Sequence, residues 1–112
     1  MVLDQLVAAL RLIEQHQPER IVTLGGECSV SLGPFAALAG DDLAVLWIDS
    51  LTPMLTPDTD HPGYHAMAVS ALTGHGDPDV LAQPPATVPA ERVALVGLHA
   101  FRQSQFRSLP RC

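Results

Sequence analysis

The residues that could carry chemistry cluster in four places. Gly25-Gly26-Glu27-Cys28-Ser29 follows a short apolar run, Ile21-Val22-Thr23-Leu24. Asp49 ends a second apolar run and is followed by Ser50-Leu51-Thr52-Pro53. His61 and His65 come next, and Gly97-Leu98-His99 closes a third run. A thiol beside an acid is a nucleophile if a charge or a dipole lowers its pKa, and an inert filler if burial raises it. An acid at a strand end is a metal ligand where other donors converge on it, and otherwise a hydrogen-bond acceptor for nearby backbone. His61, His65, His75 and His99, with Cys28 and Asp49, offer donors for zinc, but their spacing matches no standard zinc pattern.

These residues need elements to hold them. Residues 2–15 place Val2, Leu3, Leu6, Val7, Leu10 and Ile13 on one face of a helix, which Pro18 ends. Strand one is expected at 21–24. A helix over 29–39 follows, with Pro34 delaying its start and Gly40 closing it. Residues 43–49, LAVLWID, are apolar throughout, which predicts a second strand buried on both faces. A loop over 50–63 leads to a helix at 64–73, stopped by Gly74. Another loop, 74–90, precedes strand three at 93–97.

The order α-β-α-β-α-β predicts an α/β fold, a three-layer α-β-α arrangement about a small parallel sheet with right-handed crossovers. Ligands of such sheets bind beyond the carboxyl ends of the strands. Those ends are Gly25–Ser29, Asp49–Pro53 and Gly97–His99.

Composition narrows the function. The 112 residues suit a single domain, 1–112, with a tail from Phe101 to Cys112 that holds half of the six arginines and is expected to be disordered. There is no lysine, and the net charge is -6. Nucleic acid and anionic membrane surfaces are therefore excluded as partners. No apolar run reaches the roughly 18 residues of a membrane span. Met1–Gln5 has no basic region and carries Asp4, so the cytoplasm is the expected compartment. Two cysteines are too few for a disulfide framework. A three-stranded parallel sheet leaves open edges, which predicts association with a second copy or with a fuller homologue.

The four clusters together resemble the ureohydrolases: arginase, agmatinase and formiminoglutamase. Gly25-Gly26-Glu27-Cys28-Ser29 is similar to the family's Gly-Gly-Asp-His-Ser. Trp47-Ile48-Asp49-Ser50-Leu51-Thr52-Pro53 is similar to its apolar strand ending Asp-Ala-His-x-Asp, and His65-Ala66-Met67-Ala68-Val69 to its His-Gly-Met-Pro-Val. The motifs stand in order over roughly residues 20–100, and the resemblance implies the central part of the arginase-like fold.

That resemblance implies manganese-dependent hydrolysis of a guanidinium or amidine C–N bond, with a bridged metal pair supplying the nucleophile. It places Asp49 and Cys28 at ligand positions, Glu27 at the place of a non-ligand acid, and His65 near the substrate. Leu51 and Pro53 stand where the family has a histidine and an aspartate, and neither side chain has a lone pair to donate. Asp49 is thus the single unchanged ligand of the six, and no later Asp-x-Asp strand follows. Manganese is expected to be absent or weakly held. The reading is a ureohydrolase relative that is catalytically impaired and acts as a structural or regulatory pseudoenzyme. The alternatives are an amidine hydrolase completed by another chain, and a metal-free module for an arginine-like small molecule.

Overall fold

A computed structural model describes residues 2–40, 42–50, 57 and 64–99. Helix α1 spans Val2–His16. Leu6 is buried, with Leu3 and Leu10 packed beside it, while Asp4, Gln5, Arg11 and Glu14 face solvent. The helix ends on Gln17, whose φ of 46° lies in the left-handed region. Its backbone N–H donates to the Ile13 carbonyl (2.9 Å) and its side-chain amide to the Glu14 carbonyl (2.8 Å). Pro18 prevents any continuation.

A 3-10 turn, Cys28–Ser31, leads into α2, Leu32–Ala37. Pro34 is the third residue of α2, within the first turn, where proline's fixed φ suits the helix. A second 3-10 turn, Tyr64–Met67, opens α3, Ala68–Leu72. Helix α4, Pro78–Leu81, interrupts what the sequence suggested was loop. Asp77 caps it by accepting from the Asp79 N–H at 2.8 Å, and Pro78 supplies a preset first turn.

Strands β1, Val45–Ile48, and β2, Val93–Val96, pair in parallel with Val45 opposite Val93 and Ile48 opposite Val96. The α/β class and the parallel pairing are those expected from the alternation of elements. Helices α1 to α4 all contribute to one core with Val45 and Trp47, in which Leu72 and Val88 are fully buried. Helix α1 packs on α2, and α2 on α3.

Two expectations are corrected. Ile21–Leu24 forms no strand: Val22 and Leu24 are 87% and 94% exposed. Its β-branched residues favour extended backbone, but a strand exists only through a ladder partner, and among the described residues none pairs with it. Strand β1 is buried on one face only. Val45 and Trp47 are buried, whereas Leu46 and Ile48 are 63% and 74% exposed. An all-apolar run marks a strand that can be covered on both sides; which sides are covered depends on neighbours. The expected tail at 101–112 lies outside the described residues, as do Leu51, Pro53 and His61.

Candidate functional site

Alternation along β1 puts Val45, Trp47 and Asp49 on the helix-facing side. Asp49 is held where the strand ends. Its backbone N–H donates to the Val96 carbonyl at 3.0 Å, and the pairing extends one step further through His99 N–H to the Ser50 carbonyl at 3.0 Å. Gly97 lies beside it at a φ of 88°, and a Cβ there would stand 3.3 Å from the Asp49 carbonyl oxygen.

The Cys28–Ser31 turn presents the second group. Glu27 caps this turn, its carboxylate accepting from both the backbone N–H (3.2 Å) and the hydroxyl of Ser29. Ser31 donates its hydroxyl to the Cys28 carbonyl at 2.6 Å. Gly25 is needed for close approach, since a Cβ there would fall 2.6 Å from a Val30 methyl; at Gly26 the space is open. The turn carries the half-buried Cys28 thiol to within 3.9 Å of Asp49 Oδ2. Trp47 Nε1–H points at the same oxygen from 3.4 Å.

The Tyr64–Met67 turn, which carries His65, packs against the Cys28–Ser31 turn, and the His65 side chain is exposed. Three sequence-selected residues, Cys28, Asp49 and His65, therefore lie on neighbouring elements at one end of the sheet. His75 sits past the far end of α3, its Nδ1 3.4 Å from the Thr73 hydroxyl, and His99 is exposed beyond β2. Among the described residues no three His, Cys, Asp or Glu side chains gather as a metal ion requires. Trp47 was not marked by its residue type, but its place two residues before Asp49 on one strand face puts its N–H beside the acid.

Burial pushes the Cys28 thiol above its ordinary pKa, and the Asp49 and Glu27 charges push it further. The Cys28 pKa is raised in the fold, so the unfolded chain loses this proton first as pH rises. The stability Cys28 contributes is whole below the ordinary thiol pKa and is lost through the raised one. The thiol, not the thiolate, is then the neutral-pH species. Two unit charges about 4 Å apart in water interact by about 1 kcal/mol, about a fivefold change in an equilibrium. Asp49→Asn, in a Cys112→Ser background, should therefore speed Cys28 alkylation at neutral pH about fivefold. The rate should remain below that of an unstructured thiol, since burial is the larger cause. Alkylation rate against pH measures both, and an unchanged rate would mean that the Asp49 charge does not reach the sulfur.

Parallel strands whose carboxyl ends hold an acid, flanked by turns that open helices, define an α/β protein with a strand-end site. The arginase family model matches residues 2–112, and the chain belongs to that family. It is 37% identical over 67 residues to an arginase of Neurospora crassa, an alignment covering 53% of this chain and 19% of that protein. Its fold matches the arginase of Bacillus subtilis with a TM-score of 0.75, at 21% identity, over 93% of this chain and 39% of the other. It matches the arginase of Entamoeba histolytica, solved in complex with L-ornithine, with a TM-score of 0.74, at 20% identity, over 94% and 39%. The chain thus spans about a fifth of the curated relative's length and about two fifths of the solved chains.

Proposed function

We propose that this arginase-family chain is impaired in the family's manganese-dependent hydrolysis of guanidinium or amidine C–N bonds and serves a structural or regulatory role. One observation carries the reading: the residues two and four places beyond Asp49 are Leu51 and Pro53, which have no donor atoms. A divalent ion exchanges its hydration shell only for several converging oxygen or nitrogen ligands.

The chemistry of the remaining donors supports the same reading. Cys28 is a soft ligand that must ionise to bind metal, and its surroundings hold it protonated. The Asp49 Oδ2 that a metal would share is already approached by the Trp47 N–H and the Cys28 thiol. The residues present do not fit a manganese pair.

The exposed face of the sheet supports association as that structural or regulatory role. Leu46, Ile48 and Val96 are exposed, and a parallel sheet is ordinarily covered on both faces. A second copy of the chain or a fuller homologue would cover them. Completion of an active hydrolase by another chain does not repair Leu51 and Pro53 in place. Among the described residues no helix is long and apolar enough to cross a membrane.

Elemental analysis after dialysis against manganese tests the reading. Well under one ion per chain is expected; about two ions per chain, as in two-metal hydrolytic sites, would overturn it.

A further inference from the structure

We propose that Trp47 is a positioning residue for Asp49: with Cys28 it locks the acid into a hydrogen-bonded latch that fastens the end of β1 to the Cys28–Ser31 turn. The inference goes beyond impaired catalysis, because it assigns the surviving acid a present task.

Three observations carry it. First, two donors from different elements approach one oxygen, Asp49 Oδ2: Trp47 Nε1 at 3.4 Å and Cys28 Sγ at 3.9 Å. Trp47 shares a strand with Asp49, but Cys28 lies 21 residues away in sequence, so the acid bridges elements. Second, the tryptophan donor is held by packing. Trp47 is only 9% exposed, and its ring meets Phe35 of α2 with centroids 6.4 Å apart at 56°. An indole anchored this way delivers its N–H with little loss of rotamer freedom. Third, the acid's own backbone is fixed by the Asp49 N–H to Val96 carbonyl bond, which sets where its side chain leaves the strand.

Hydrogen bonds to a charged acceptor are stronger than neutral ones, and a shared acceptor couples its donors. In this arrangement two neutral protein donors solvate the charged acid and tie the end of β1 to the Cys28–Ser31 turn. A cation approaching Oδ2 would have to displace both donors.

The chain has a single tryptophan, so its indole N–H gives one NMR cross-peak. Asp49→Asn, which keeps the side chain's shape, should move that cross-peak, and Asp49→Ala should move it further and speed its exchange with solvent. Glu14→Ala, which removes an exposed acid on α1 away from the latch, should leave it in place. Thermal midpoints give the second readout. Trp47→Phe keeps an aromatic ring but removes the donor together with the five-membered ring of a nearly buried indole, and should lower Tm by at least about 4–8 °C, the shift that about 1 kcal/mol produces in a small domain. In an Asp49→Ala background, or Asp49→Asn if the alanine variant does not fold, the same substitution should lower Tm by clearly less, because the void remains but the bond to the acid is already gone. A cross-peak unmoved by either Asp49 variant, or strictly additive midpoints, would overturn the latch. Both readouts use metal-free protein, so a manganese-binding result that removed the proposed impairment would leave them standing.

Discussion

Leu72→Ala is expected to cost about 2–5 kcal/mol, the range for emptying a fully buried leucine site. Leu72 is 2% exposed and lies in the common core with Val45, Trp47 and Val69. Its carbonyl also accepts the Val88 N–H at 2.9 Å, and Val88 is 1% exposed, so the backbone on both sides is tied and cannot collapse freely into the void. Small domains are stable by about 5–15 kcal/mol, so the loss removes a large share of the total. Urea unfolding measures it as a lower midpoint at unchanged slope. Leu46→Ala is the matched control. Leu46 is 63% exposed, and an exposed truncation costs no more than about 0.5 kcal/mol. A Leu46→Ala cost approaching that of Leu72→Ala would mean that a partner covers this face in solution.

Gly97→Val should destabilise by about 1–3 kcal/mol, the usual cost of holding a side-chain-bearing residue in a sparsely populated backbone region. The φ of 88° at Gly97 is one that β-branched residues avoid most strongly. The added Cβ would also press on the Asp49 carbonyl oxygen, 3.3 Å away. That contact is backbone on one side and a paired strand on the other, so relief must come from moving Asp49. The substitution should consequently alter Cys28 alkylation as well as the urea midpoint. Gly26→Ala, where a Cβ meets nothing within 4 Å, should change neither. Equal behaviour of the two variants would show that Gly97 does not constrain the strand end.

The alkaline side offers a check on burial that involves no metal. Tyr64 is also pushed above its ordinary pKa, first by desolvation and then by the Asp77 charge. The sign matches that of Cys28: both groups favour the folded state while protonated and weaken it as pH rises through their raised values.

Much of the architecture was legible along the chain because it follows from local chemistry. The spacing of Leu3, Leu6 and Leu10 drew α1, and Pro18 ended it. The apolar runs at 43–49 and 93–97 located β1 and β2, and the alternation of elements gave their parallel pairing. Helix α4 was hidden by its loop-like composition, although Asp77-Pro78 is a cap followed by a preset first turn. The motifs about Cys28, Asp49 and His65 pointed to the arginase family through their likeness to its signatures, and that Leu51 and Pro53 carry no donor atoms is a matter of residue type.

What the tertiary structure decided is everything that depends on a neighbour distant in sequence. Ile21–Leu24 has the composition of a strand and is not one, because pairing is a property of two segments. LAVLWID is apolar throughout, yet Leu46 and Ile48 face solvent, because burial is set by what packs alongside. No spacing rule reveals that Cys28 and Trp47 meet on one oxygen of Asp49, or that Gly97 leaves room for its carbonyl. Side-chain chemistry is written residue by residue, whereas the distances that turn it into a site arise only when the chain closes on itself.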